Sequence, residues 1–296
     1  MLSALAGICV LLGGAGCSGG SGSSSITIPA AKGRPQLPPR NAIVQARQDG
    51  RLAVALAAQP AKGGDKMIAT IVDPDNVGTD GLDVSFRRGN ARRAGTPCGS
   101  GCYSAVLPKT GPRAVDVDVA GRTVEFQLPA RWPAPDATAL VRRANRTYRN
   151  LRSIAYAQRL ASAPGIEVFS RWQESAPDRF AYRIPGGAAG IAIGSRRWDR
   201  TKPSSAWIES TTSPTRMPSP IWGLQTTNAH VLRTGTLDGR RVVTVSLLAR
   251  SVPAWFTIDF EAGTLRPLSL QMTAAAHFMH NAYTGFNSGP KIRPPR

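Results

Sequence analysis

Three groups of side chains in this sequence have chemistry beyond packing. Cys98 and Cys102 enclose Gly99-Ser100-Gly101, where the glycines let the chain turn back on itself. In an oxidising compartment an even pair so close in sequence reads as a local disulfide. A soft-metal dithiolate is the alternative, but it needs two more ligands and none is adjacent. Met272, His277, Met279 and His280 combine thioether with imidazole, a donor set that suits copper. On a strand, His277 and Met279 share one face and His280 takes the other; on a helix, His277 and His280 converge with Tyr283. The opposing expectation is that Met272, Phe278 and Met279 fill a core while the histidines bond locally, so that the protein carries no metal. Cys17 is the third, and its meaning depends on what precedes it.

Residues 1–16 are an uninterrupted run of small and apolar residues ending Gly14-Ala15-Gly16, and Ser/Gly-rich residues 18–25 follow Cys17. That is the layout of a secretory leader, a small-residue cleavage site and a flexible tether. The run is shorter than the roughly 20 apolar residues a membrane-crossing helix needs. It resembles a bacterial lipoprotein signal, which implies acylation at Cys17 and residence in the cell envelope, on the outer face of the cytoplasmic membrane or in the periplasm. Pro-rich residues 26–40 extend the tether, so the leader is expected at 1–16 and the flexible segment at 17–40.

Catalytic machinery is missing from the motifs. Histidine occurs only at His230, His277 and His280, without a zinc-protease motif or a phosphate loop. Asp116 and Asp118 share a strand face flanked by valines and read as its wet side. The expected protein is therefore a binder and not an enzyme. Its formal charge of +19, supplied mostly by arginine, favours anionic partners. Export makes an anionic membrane surface the expected one and argues against nucleic acid.

These residues must be held by mostly β structure. Between residues 41 and 133, seven short apolar runs lie between turn signals: 42–46, 52–58, 67–72, 82–86, 102–107, 115–119 and 123–128. Several alternate with period two, as in Val115-Asp-Val-Asp-Val119, which predicts an immunoglobulin-like sandwich. Asp136 then looks like the N-cap of a helix reaching Ser162, with arginines on its solvated faces. Strand patterns resume at 166–172, 179–184, 190–193, 205–210, 230–236, 242–248, 255–260 and 265–272. In the 255–260 run, Asp259 faces water, so Phe256, Ile258 and Phe260 face inward. A helix followed by antiparallel strands is an α+β arrangement.

The segments Ala176-Pro-Asp-Arg-Phe180, Ile193-Gly-Ser-Arg-Arg-Trp198, Pro253-Ala-Trp-Phe256 and Ala276-His-Phe-Met279, with Tyr283, Phe286 and Asn287, are similar to the LolA/LolB-type lipoprotein-sorting proteins and their relatives in single-membrane bacteria. The resemblance covers residues 136–290. It implies an unclosed antiparallel β-barrel wrapped on a helix and a cavity for the acyl chains of a lipid or lipoprotein, with Phe256, Ile258, Phe260 and Trp172 as contacts. Residues 81–86 and 98–103 resemble the CopC- and YtkA-like domains of copper-resistance proteins, which implies a copper-handling module beside a membrane transporter as the second functional reading; no histidine stands in this region. A protein-binding adaptor without a ligand is the third.

Overall fold

The computed structural model describes residues 33–295 apart from 164, 224, 251, 252, 276 and 290; the leader and Cys17 lie outside the described residues. The first unit holds nine antiparallel strands in two sheets. One sheet has the order β1-β2-β3-β7-β6, from β1 (Ile43–Asp49), β2 (Leu52–Ala61), β3 (Gly64–Val72), β7 (Cys102–Leu107) and β6 (Thr96–Gly99). The other has the order β5-β4-β8-β9, from β5 (Ala91–Ala94), β4 (Val84–Arg88), β8 (Ala114–Val119) and β9 (Arg122–Gln127). Alternate residues of both sheets meet in a core that includes Val54, Leu56, Met67, Ile71, Phe86, Val117 and Phe126. All seven predicted runs form strands. The extra pair, β5 and β6, is too polar and too exposed to show a hydrophobic period, and pairing with β4 and β7 holds it.

The two-sheet sandwich forms with a strand order of its own. In the immunoglobulin arrangement the third strand leaves the first sheet; here β3 stays hydrogen-bonded to β2, and the chain crosses between sheets after β3, β5 and β7. Asp65 anchors this unit from inside, accepting from Arg88 Nη1 at 2.8 Å and from Trp132 Nε1 at 3.0 Å. Cys98 and Cys102 are joined as a disulfide with their Cα atoms 5.0 Å apart. The turn between them runs through positive φ at Gly99 (138°) and Gly101 (64°), which glycine adopts without a Cβ clash. Closing so short a loop removes little unfolded-state entropy, so replacing both cysteines by serine should cost about 2 kcal/mol, read as a lower urea midpoint at unchanged slope.

The expected N-cap at Asp136 is corrected: Ala137 holds the N-cap position, Asp136 stands one residue before it and accepts from Thr138 N at 3.2 Å, and α1 spans only Thr138–Arg149 and ends at Asn150. The predicted extension to Ser162 is corrected: Ser153–Ala163 is β10. From Ile154 through Tyr156, Gln158 and Leu160 the inward residues repeat every second position, and partners on both sides satisfy the backbone. On a helix, Leu151, Ala155 and Leu160 would share a face only loosely.

The second unit is an eleven-stranded antiparallel sheet with β10 at its centre, in the order β15-β14-β13-β12-β11-β10-β20-β19-β18-β17-β16. One half is β11 (Ile166–Ser175), β12 (Arg179–Arg183), β13 (Ala189–Ile193), β14 (Arg196–Arg200) and β15 (Ile208–Thr211). The other half is β16 (Thr226–Leu237), β17 (Arg240–Ala249), β18 (Ala254–Glu261), β19 (Pro267–Ala274) and β20 (His277–Thr284). Each half is a meander, and residues 212–225 carry the chain from one edge to the other. Among the described residues β15 and β16 do not pair, so the sheet is open, as an unclosed barrel requires. Strands β10, β14 and β20 are additions to the predicted set.

The units stack as layers. The outer face of β1, β2 and β3 presents Ala42, Val44, Ala46, Ala53, Ala55, Ala57 and Ile68 to Leu248, Trp255 and Phe278 on the large sheet. Strand β2 is thus buried on both faces, which explains why residues 52–58 read as an unbroken apolar run rather than an alternating one. The part of the tether within the described residues is also fixed. Gln36 N donates to Ser100 O at 2.8 Å, Arg250 donates to Pro38 O at 3.0 Å and Asn228 Nδ2 donates to Pro39 O at 2.5 Å. The expectation of a flexible segment reaching residue 40 is corrected for residues 33–40, whose free carbonyls find donors on both units.

Candidate functional site: an aromatic surface on the inner sheet face

The face of the large sheet opposite the sandwich carries α1. An α-helix is about 10 Å wide and strands are roughly 4.8 Å apart, so one helix covers only a few of eleven strands. Val141, Ala144 and Tyr148 on α1 belong to one buried cluster with residues of β16 to β20 and Ile154 of β10. Among the described residues, no buried member of that cluster comes from β11 to β15. The covered half is a packed core; the other half is the candidate site.

Phe256, Ile258 and Phe260 point to this inner face, as expected, but lie in the covered half at 3%, 0% and 0% exposure. The Phe260 ring stands edge-on to Trp222 at 5.9 Å. Trp172 lies in the uncovered half and is half-buried. The four residues expected to act together are therefore divided: three build the core, and one lies on an accessible surface.

Register builds that surface. Tyr156 on β10 pairs with Trp172 on β11, and Trp172 with Tyr182 on β12, so the three side chains line up across the sheet. Tyr156 and Trp172 stack at 6.1 Å with 2° between planes, Trp172 and Tyr182 at 4.9 Å with 26°, and Phe180 adds a tilted contact with Trp172 at 6.3 Å. All four rings are half-buried. Trp172 Nε1 donates to Ser170 Oγ at 2.8 Å, which pins the indole in plane. Val168 and Leu160 continue the face along the same strands.

One acid sits at the end of this surface. Glu174, two residues from Trp172 on the same face, is 6% exposed. Tyr156 Oη donates to its Oε1 at 3.3 Å, and its Oε2 accepts from Tyr148 Oη at 3.3 Å and Ser219 N at 3.0 Å. The carboxyl thus ties together the sheet, the last turn of α1 and the crossing segment. Burial pushes its pKa up to about 7, with the three hydrogen bonds pulling the other way. Burial, reinforced by the neighbouring carboxylate, also holds the Tyr148 and Tyr156 hydroxyls well above their usual range, so they remain donors.

The Met/His group takes the strand option. Met272 and Met279 are a buried cross-strand pair on the inner face, with Gln158 Nε2 donating to Met279 Sδ at 3.0 Å. His280 lies on the outer face, 3.2 Å from Ser269 Oγ, and His277 Nδ1 lies 3.1 Å from Ala275 O. The alternation sets His280 apart from the other three.

Sequence reasoning missed Tyr156, Glu174, Phe180 and Tyr182. The signal available was the alternation Val168, Ser170, Trp172, Glu174, in which an acid occupies an inward position that its neighbours make apolar.

No protein-family model matches the chain, and no curated protein matches it. Among solved structures it is similar to the lipoprotein LppX of Mycobacterium tuberculosis, at 13% identity and a TM-score of 0.37, over 52% of this chain and 97% of that one. It is similar to LprF of Mycobacterium bovis at 12% identity and a TM-score of 0.36, over 55% and 99%. A LolA superfamily protein from Nitrosomonas europaea aligns at 16% identity and a TM-score of 0.25, over 55% and 96%.

Proposed function

We propose that this is an exported, N-terminally acylated envelope protein that binds an apolar ligand, an acyl chain of a lipid or lipoprotein, on the uncovered half of its inner sheet face. The observation that carries the reading is the row Tyr156, Trp172, Tyr182, with Phe180 beside it, which runs half-buried from the edge of the covered core onto the half that α1 does not reach. Such a row offers flat apolar area with few polar demands, and burying a chain against it yields about 0.8 kcal/mol per CH₂ with little selectivity for chain type. The Cys98–Cys102 disulfide fits an oxidising compartment, and the leader with Cys17 accounts for export and anchoring. Non-enzymatic carriage or sensing is the activity that follows.

Native mass spectrometry of protein purified from its own membrane tests this directly. A co-purifying lipid supports it, whereas stoichiometric copper or an empty protein overturns it. In titrations with a fluorescent long-chain fatty acid, Trp172→Ala should raise Kd roughly tenfold, the loss of about 50 Å² of apolar contact. Phe256→Leu, in the covered half, should leave Kd unchanged.

A further inference from the structure

We infer that the arginine face of α1 docks this protein on an anionic lipid bilayer, with the inner sheet face turned toward the membrane. Residues 138–152 contain Arg142, Arg143, Arg146, Arg149 and Arg152 and no Asp or Glu. All five are exposed. Among the described residues eight arginines, none of them on α1, pair with carboxylates, including Arg87 with Asp116, Arg88 with Asp65, Arg122 with Asp49, Arg197 with Asp199 and Arg240 with Glu261. Among the described residues, none of the four guanidinium groups on α1 has an ion-pair or hydrogen-bond partner.

The pattern works against the helix that bears it. Arg142 and Arg146 are four apart, and Arg143 and Arg146 three apart, so like charges repel along one side. The helix dipole favours Arg146 and Arg149 in the last turn, but not Arg142 and Arg143 nearer the N-terminal end. An external anion removes that conflict. The opposite side of α1, through Val141, Ala144 and Tyr148, is committed to the core, so the arginines point away from the sheet. The sandwich occupies the other sheet face, which leaves α1 as the outermost layer on this side. Phospholipid headgroups suit this geometry. Guanidinium groups take phosphates as bidentate partners, the stems can lie along the interface, and an acylated N-terminus would keep the protein at a bilayer.

The inference does not depend on what the aromatic surface binds, and Trp172→Ala should leave docking intact. The test uses the chain from residue 17 onward carrying Cys17→Ser, so that neither acylation nor the apolar leader masks peripheral binding, in co-sedimentation with vesicles. Binding is expected to phosphatidylglycerol/phosphatidylcholine vesicles at low salt, to weaken at high salt, and to be absent for phosphatidylcholine alone. Each arginine near an anionic surface contributes about fivefold, so R142Q/R143Q should weaken binding about 25-fold. The sandwich variant K62Q/R93Q, with the same change in net charge, should bind as the parent does. Thermal melts matching the parent show that both variants are folded. Equal loss in both variants, undiminished binding by R142Q/R143Q, equal binding to phosphatidylcholine, or binding to RNA but not to vesicles would each overturn the inference.

Discussion

Trp222→Ala should lower the unfolding free energy by roughly 3 to 5 kcal/mol, the range for removing a large aromatic from a packed interior. Trp222 lies in the crossing segment, outside any helix or strand, yet it is fully buried. Its ring stands edge-on to Tyr148 at 5.1 Å, Phe260 at 5.9 Å and Tyr283 at 6.4 Å, joining α1, β18 and β20 to the crossing segment. Alanine leaves a cavity bordered by all three elements, and neither a helix nor a sheet can move inward to fill it without breaking its own ladder. Among the described residues the indole Nε1 has no hydrogen-bond partner, so Trp222→Phe loses volume without losing a bond and should cost far less. Urea unfolding of the three proteins checks the order. A Trp222→Ala protein as stable as the parent would mean that the crossing segment is not part of the cooperative fold.

The second large effect is pH-dependent and belongs to Glu174. Its folded-state pKa of about 7 stands above the ordinary 4.5, so between these values the folded protein binds a proton that the unfolded chain does not. The sign follows from linkage: the contribution to stability is fully present below about 4.5, falls as pH rises through about 7, and is constant above. A separation of that size amounts to about 3 kcal/mol across the window. Glu174→Gln keeps an acceptor for Tyr148, Tyr156 or Ser219 and removes the charge. The variant should therefore lose this slope and exceed the parent in stability above pH 7, as measured by urea unfolding at a series of pH values. Carboxylates held low by hydrogen bonds and charge, such as Glu261 beside Thr264 and then Arg240, act in the opposite direction but equally in both proteins, so the difference between the two profiles isolates Glu174. Superimposable profiles would assign the buried carboxyl no linked proton.

Much of the β architecture could be read from residue order. Val115 to Val119 and Val124 to Gln127 alternate because one side of each strand is core and the other water, and that constraint acts residue by residue. The inward direction of Phe256, Ile258 and Phe260 is of the same kind. The expected helix beyond Asn150 failed because Leu151, Ala155 and Leu160 fit a helical period loosely, while Ile154, Tyr156, Gln158 and Leu160 fit a strand period well, and pairing with β11 and β20 decided between them. Strand β14, Arg196 to Arg200, had no apolar period to find; its neighbours on both sides impose its conformation.

The candidate site shows the limit of local reading. A side chain's face is set by its own strand, because successive Cβ atoms alternate. Whether that face is covered depends on which layer lies over it, and here a helix of twelve residues covers one half of an eleven-stranded sheet and leaves the other. Residue order alone therefore supplied the inward set, the cysteine pair, the arginine-rich helix and the export leader as an expectation. Long-range register placed Tyr156, Trp172 and Tyr182 in one row and Glu174 beside Ile154 and Phe180. Layer packing then assigned Phe256 and Phe260 to the core and Trp172 to the open surface, since burial depends on elements that arrive from distant parts of the chain.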